Sequence, residues 1–279
     1  MEVEATRTPT TPTRVHALAD GRVVERPDRL VTEEPMEIRV HVPGHVPEAL
    51  AVTMRTPGND FELAVGFCVT EGVVHSPDDV VSVAYCVEGG AHHANIVTVR
   101  LRGMLADGLP RRSFVANASC GLCGKTQLDD VELRCPPMSD GPRVAASTIL
   151  ELPDRLRDAQ RVFDSTGGLH GAAVFGVDGA LDTLREDVGR HNAVDKVVGR
   201  ATLDRRLPLA SSVLMVSGRV SFEIVQKAAM AGIPVVCAVS APSSLAVDAA
   251  RRFGQTIVGF LRGARFNVYT GPERVDLDA

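Results

Sequence analysis

The sequence predicts an α/β protein in two parts: a three-layer α/β domain toward the C-terminus and a smaller α+β domain before it. Three observations lead there. From 211 to 262, apolar strand runs alternate with amphipathic helix patterns, the order and spacing of a parallel sheet with right-handed crossovers. Before residue 140, short strand-like runs surround a single helix pattern. Between the two, CPPMSDGP at 135–142 carries three prolines in eight residues and places a linker near 140. The expected organisation is therefore a disordered tail over 1–13, an N-terminal α+β domain over 14–140 and a C-terminal α/β domain over 141–279.

The elements follow in chain order. Residues 1–13 are rich in Thr and Pro and lack periodicity, so they bury too little surface to offset the entropy of ordering. Strand runs at 36–42 and 49–54 lead to the turn TPGND, where Asp60 is placed to cap the helix FELAVGFCVTEG. That helix aligns Leu63, Phe67 and Thr70 on one face and stops at Gly72. Strands return at 80–87 and 95–101, and SFVA at 113–116 runs directly into ASCGLCGK at 118–125. KTQLDDVEL after it reads as a short helix. In the second half, SSVLMVS is a buried strand, and the helix SFEIVQKAAMAG has Phe222, Val225 and Ala229 in register. PVVCAVS is a strand, SSLAVDAARRFG a helix aligning Leu245, Ala249 and Phe253, and TIVGFL and FNVYT are strands flanking RGAR.

Composition narrows the function classes. Apolar residues make up 44% and charged residues 23% of 279, the profile of a globular protein. The net charge is −5 without a Lys/Arg block, tryptophan is absent and aromatics are 4%, so neither phosphate-backbone neutralisation nor base stacking is provided for, and nucleic acid is not an expected partner. The N-terminus has acids where a signal peptide needs positive charge, and no window is long and apolar enough for a membrane span; a cytoplasmic protein is expected. In that reducing compartment, a close cysteine pair among six is catalytic or metal-binding more often than a staple.

Cys120 and Cys123 form the pair, and their residue chemistry leaves three readings open. A zinc clip needs four ligands, so Cys86, Cys135, His92 or His93 would have to complete it, and no second close pair exists. Zinc deaminase chemistry lacks its signature: no His is followed two places on by Glu, and Ser119 precedes Cys120. A dithiol–disulfide oxidoreductase is permitted by CxxC chemistry, although the pair sits mid-chain and not at the start of a small βαβ unit. A sulfur carrier needs a thiolate in mobile, uncrowded backbone; Gly121 and Gly124 provide the latter and Lys125 a stabilising charge. Cys68 and Cys237 fall in apolar helix and strand patterns and read as packing.

A second constellation lies in the C-terminal half. SGRVS at 217–221 and SAPSSL at 240–245 follow strands, where helix N-termini in such sheets meet anions, and Arg219 and Ser243 add charge and a hydroxyl. In FLRGARF, Arg262 and Arg265 bracket Gly263 and Ala264; a solvated hairpin explains this, and so does a bidentate clamp on a pyrophosphate. REDVGRHNAVDK at 185–196 is too polar for core, and His191, Asn192, Asp195 and Lys196 read as a binding edge for a base or pterin.

Taken together these stretches resemble one family, the formate dehydrogenase accessory sulfurtransferases. The similarity runs through MRTPGNDFELAVGF, TEG at 70–72, SCGLCGK, FDSTGGLHGAA at 163–173, REDVGRHNAVDK, SGRVSFEIVQKAAMAGIPVV and GFLRGARFNVYTG, in that order. The resemblance implies a cytidine-deaminase-like C-terminal domain without zinc chemistry. It implies a sulfurtransferase that takes sulfur from a cysteine desulfurase and passes it to the molybdenum cofactor, Mo-bis molybdopterin guanine dinucleotide, destined for formate dehydrogenase. It further implies Cys120 as the persulfide-bearing position, Cys123 as its partner, Phe260, Leu261, Arg262, Gly263, Ala264 and Arg265 as the segment contacting the cofactor, and a homodimer. Two positions depart from the usual pattern: Asn59 stands where histidine is frequent, and Gly171 where alanine is common.

Overall fold

Alternation of apolar residues in the first half produces five strands that pair around Met36, Ile38 and Val40 of a central one. The computed structural model describes residues 8–88, 91–103, 114–116, 138 and 141–278. The ribbon β1 (Thr10–Ala19) and β2 (Arg22–Val31) comes first. It is followed by β3 (Glu34–His41), β4 (Glu48–Arg55), α1 (Asp60–Thr70), β5 (Val80–Glu88), β6 (Ala91–Leu101) and β7 (Phe114–Ala116). The sheet order is β5-β6-β3-β4-β7, with β3–β6 and β4–β7 parallel and the other pairs antiparallel.

The second half contains β8 (Val144–Ala145), α2 (Ala146–Ala159), α3 (Arg161–Thr166), β9 (His170–Gly176), β10 (Leu181–Asp187) and α4 (Arg190–Leu203). It continues with β11 (Ser212–Val216), α5 (Phe222–Met230), β12 (Val235–Ala238), α6 (Ser244–Phe253), β13 (Thr256–Arg262), β14 (Arg265–Thr270) and β15 (Val275–Asp276). Six of these strands form a sheet in the order β10-β9-β11-β12-β13-β14.

The expected parallel sheet is present only at its centre. β11, β12 and β13 are parallel, joined through α5 and α6, while β9 and β14 are antiparallel to their inner neighbours. Tight turns explain the antiparallel pairing of β10 on β9 and of β14 on β13, because a tight turn allows only an antiparallel partner, whereas β9 meets β11 only after β10 and α4. Both sheet faces are covered. Ala173, Phe175, Val213, Met215, Val235 and Cys237 pack on Ile149, Leu152 and Leu156 of α2. Ala172, Val174, Leu214, Val216, Val236 and Ala238 pack on the side of α4, α5 and α6, in a core that continues through α1 to Met36, Ile38, Val97 and Val99 of the first sheet.

Two expectations are corrected here. The stretch read as a loose tail ends in strand, because β1 begins at Thr10 and pairs along its length with β2 about an Asp20–Gly21 turn with φ of 51° and 72°. Both turn residues are left-handed, the type I′ geometry that suits a two-residue hairpin. Asp60 is not the cap of α1: Asn59, itself left-handed at φ 59°, occupies that position. Asp60 instead receives Arg55 Nη2 at 2.9 Å and Nε at 3.1 Å, neutralising a fully buried guanidinium. Left-handed backbone favours short polar residues, which accounts for an asparagine at 59.

The two halves meet where α1 crosses α4. A Cβ at Gly66 would lie 1.8 Å from the Asp195 carbonyl oxygen, and one at Gly199 would lie 1.8 Å from that of Glu62. Only glycine permits this approach at either position.

Candidate functional site

The parallel centre of the second sheet sends three helix N-termini to one edge. β10, β11 and β12 end at Asp187, Val216 and Ala238, and α4, α5 and α6 begin shortly after each. The intervening loops are stitched together by backbone. Val220 N–H donates to the Ala241 carbonyl at 3.2 Å, Ser243 N–H to the Val220 carbonyl at 2.9 Å, and Phe260 N–H to the Ser240 carbonyl at 3.2 Å. This continuous rim, 217–221, 239–244 and 260–265, is where ligands bind in sheets of this kind.

Within it, Arg262 and Arg265 pair across the β13–β14 hairpin, with Gly263 left-handed at φ 55° between them. Arg262 Nε–H donates to the Val239 carbonyl at 2.9 Å, which anchors its stem to the neighbouring loop. Both guanidiniums are exposed, as is Arg219, and none has an ion-pair partner among the described residues. Phe260 is left-handed at φ 52° and 42% exposed, standing off a bulge between Gly259 and Arg262. A bulky residue held there is strained, and strain of this kind collects at functional edges. Leu261 is fully buried in the core beneath, so only its backbone faces the rim. The Ser243 hydroxyl accepts the Ala246 amide at 3.2 Å and serves first as the cap of α6.

The polar stretch 185–196 divides in two. His191 lies on the rim, with Nε2 3.1 Å from the Ser221 hydroxyl and 3.8 Å from Glu223 Oε2. Burial, then the charges of Lys227 and Arg190, push the imidazole down to about 4 against the pull of Glu223, so it is neutral at physiological pH. Asn192, Asp195 and Lys196 are buried, contrary to the expectation of a binding edge. Lys196 lies 2.7 Å from Asp187 and donates to the carbonyls of Thr56 and Glu186 at 3.0 and 3.2 Å. Asn192 Nδ2 donates to Met54 O at 2.8 Å and to Asp187 at 2.9 Å, and its Oδ1 accepts from Thr53 Oγ1 at 3.2 Å. Asp195 accepts from Thr70 at 2.7 Å and lies 2.9 Å from Lys227, whose Nζ also reaches Glu71 at 3.1 Å. Polarity there signals satisfied core, because Asp187, Asp195 and Lys196 each hold a hydrogen-bond partner across the two halves.

Cys120, Cys123, Lys125 and Cys135 lie outside the described residues, as does the predicted helix after the pair. Their point of departure is described. β7 runs parallel to β4, with Ala116 opposite Thr53, whose hydroxyl is bonded to Asn192 in the first turn of α4. Cys120 is four residues beyond Ala116, and four extended residues span at most about 14 Å. Cys68 and Cys237 are buried; burial pushes the first thiol well above the usual range and the second up to about 12, which makes both inert. Cys86 is half-buried, opposite His93 in the β5–β6 register, with Arg39 Nη1 3.7 Å from its sulfur. Among the described residues no group of three or more His, Cys, Asp or Glu is placed to hold a metal ion, and no helix is long and apolar enough to cross a membrane.

Sequence reasoning passed over three residues of the rim: His170 at the start of β9, Arg190 opening α4 and Glu223 in the first turn of α5. Their spacing in the chain gives no signal, since the sheet topology alone brings them together.

A sequence model of the FdhD/NarQ family matches residues 31–276. The chain belongs to that family. Among FdhD/NarQ members, the "Sulfur carrier protein FdhD" of Streptomyces coelicolor is 53% identical over 274 residues, covering 95% of each chain. The protein of the same name from Mycobacterium tuberculosis is 52% identical over 94% of this chain and 97% of its own. That of Sulfurisphaera tokodaii is 46% identical over 89% of this chain and 92% of its own. The fold is also that of a solved structure, a putative formate dehydrogenase accessory protein from Desulfotalea psychrophila, with a TM-score of 0.75 and 24% identity, covering 96% of this chain and 99% of that one.

Proposed function

We propose that the chain is a sulfurtransferase that carries sulfur as a persulfide on Cys120 and delivers it to a molybdenum cofactor lying along the rim, for maturation of formate dehydrogenase. The observation that carries this reading is the departure point of the cysteine segment. β7 ends at Ala116 against β4, beside the first turn of α4, and Cys120 follows four residues later in the chain. Relatives named as sulfur carriers across nearly the whole length support the same reading.

In the first step the Cys120 thiolate attacks the terminal sulfur of a cysteine desulfurase persulfide. A bond forms between Cys120 and that sulfur, the donor's sulfur–sulfur bond breaks, and the donor keeps a thiolate. In the second step the Cys123 thiolate attacks the inner sulfur of Cys120, forming a disulfide and expelling hydrosulfide toward the cofactor as the new ligand. The two thiols supply the electrons that reduce the carried sulfur, and a cellular dithiol reductant restores the pair. Lys125 stabilises the attacking thiolate.

Mo-bis molybdopterin guanine dinucleotide is the substrate in this scheme, and the residues present suit its anionic groups. Arg262 and Arg265 hold the pyrophosphate, Gly263 and Ala264 let it approach, and Phe260 lies against a ring, with Leu261 contributing backbone only. The same reading takes the C-terminal layers as cytidine-deaminase-like, the protein as cytoplasmic and homodimeric, and formate dehydrogenase as recipient.

The test is intact mass spectrometry after incubation with a cysteine desulfurase and cysteine. A gain of one sulfur atom in the native protein, absent in Cys120→Ala, is expected; no gain in the native protein overturns the reading. Cys120→Ala keeps its guanine-nucleotide affinity if carrier and rim are separate sites. Metal analysis separates the zinc clip, which requires stoichiometric zinc, and a disulfide-reductase assay separates the oxidoreductase.

A further inference from the structure

The rim continues past the arginine hairpin to a cluster that the scheme above does not use. At the carboxyl end of β11, the Cβ position of Gly218 lies 3.5 Å from His170 Nδ1 and 3.8 Å from Arg190 Cδ. Next to them, His191 touches Ser221 and Glu223. Arg190 Nε is buried with no hydrogen-bond partner among the described residues, a donor left without an acceptor. Burial, then the charge of Arg190, lower His170, so both imidazoles are neutral and each offers one donor and one acceptor. Burial would raise Glu223, but the Ser221 hydroxyl, its own backbone amide and the charge of Arg190 hold it below the usual range, as a carboxylate.

An anion is a poor match for this cluster, since the Glu223 carboxylate would repel it. A heterocycle that presents donors beside an acceptor is a good one. The 2-amino-4-oxopyrimidine edge shared by guanine and pterins has that pattern: a ring N–H and an amino group that donate, and a carbonyl oxygen that accepts. Three strand spacings separate β9 from β13, about 14 Å, comparable to an extended nucleoside diphosphate lying along the strand ends.

We propose that Glu223 accepts the ring N–H and amino group of such a heterocycle while Arg190 donates to its carbonyl, making this cluster the base-reading end of a rim whose phosphate-reading end is Arg262 and Arg265. The inference rests on the cofactor reading above and assigns it a specificity determinant.

Titration calorimetry with guanosine diphosphate and with inosine diphosphate, which lacks only the 2-amino group, tests it. In the native protein the guanine nucleotide binds about tenfold more tightly, the value of one hydrogen bond to a charged group. Glu223→Ala weakens both nucleotides, since each loses its ring N–H contact, but weakens the guanine nucleotide more and so brings the two affinities together. Replacing Arg262 and Arg265 together by alanine weakens both nucleotides and keeps their ratio. Equal binding of the two nucleotides by the native protein overturns the base assignment and leaves the cofactor reading standing. A ratio that survives in Glu223→Ala overturns the role of that carboxylate, which then only caps α5. Binding of neither nucleotide overturns the cofactor reading and this inference with it.

Discussion

Gly199→Ala adds one methyl group where α1 and α4 cross, and the structure sets what that methyl meets. The new Cβ would stand 1.8 Å from the Glu62 carbonyl oxygen, 2.6 Å from its carbon and 2.8 Å from the Gly66 nitrogen, all backbone. No flexible side chain can swing away, so the helices must separate by about 1.5 Å to reach a tolerable contact. Such a retreat carries the 2.7 Å Thr70–Asp195 hydrogen bond out of range. That loss costs about 1.5–3 kcal/mol, and the forced shift of a packed interface about 1–3 kcal/mol more. Against it stands roughly 1 kcal/mol from the better helix propensity of alanine. The net expectation is a destabilisation of about 1.5–5 kcal/mol, a large share of the ~5–15 kcal/mol that holds a domain folded. With no tryptophan in the chain, urea unfolding is best followed by far-ultraviolet circular dichroism. Gly103→Ala, with nothing within 4 Å of the added atom, is the matched control and stays near the native midpoint. A Gly199→Ala midpoint at or above the native value, with an unchanged slope, would refute the argument that backbone contact sets the helix spacing.

The buried charges give further outcomes. Arg55→Ala strands the Asp60 carboxylate and costs about 3–5 kcal/mol by the same unfolding assay. The pH dependence of stability separates two opposed groups. Burial raises Asp195 to about 6 in the folded state, so its favourable contribution is complete below the unfolded value near 3.8 and is lost as pH rises through 6. Burial and neighbouring cations lower His191 to about 4, so its contribution is present above 6.5 and is lost as pH falls toward 4. Unfolding midpoints between pH 7 and 4 therefore fall more steeply in Asp195→Asn than in the native protein, and less steeply in His191→Asn. At the rim, Arg262→Ala with Arg265→Ala lowers the melting temperature little, since both side chains are exposed and, among the described residues, neither has an ion-pair partner, but it weakens guanosine diphosphate at least tenfold and flattens its salt dependence. Titrations at two ionic strengths check this.

The sequence displays most plainly what a short local pattern encodes. β11, α5, β12, α6 and β13 stand where period-two and period-3.6 runs put them, because each buries one apolar face against the sheet. The hairpin at 10–31 carries an Asp-Gly turn between alternating runs, a usable signal that the Thr/Pro-rich start obscured. The status of 185–196 was illegible for a different reason. Nothing within REDVGRHNAVDK shows that Thr53, Thr56, Thr70 and Lys227, each far away in the chain, will satisfy its polar groups. Likewise, Arg262 and Arg265 were visible as a pair beside glycine, whereas His170, Arg190 and Glu223 meet only because β9 runs antiparallel to β11 and brings its first residue to the end where α4 and α5 begin.

That burial has a geometric consequence for the site. Along one side of α4, Asn192, Asp195 and Lys196 are tied to β4, to the turn before α1 and to the end of α1, while Arg190 and His191 in its first turn face the rim. β4 is also the strand on which β7 is paired, so the departure point of the cysteine segment and the rim are referenced to the same helix turn. An apolar α1–α4 interface of equal area would hold the halves together about as well, since buried ion pairs add little net stability over well-packed hydrocarbon. It would tolerate sliding, however, because apolar contact is not directional. Hydrogen bonds of 2.7–3.2 Å from Thr53, Thr56 and Thr70 to Asn192, Asp187 and Asp195 fix the relative position of the halves to a fraction of an ångström. Under the proposed function, that registration holds the strand end from which the Cys120 segment departs at a fixed distance from the rim, the condition for presenting a carried atom in one orientation.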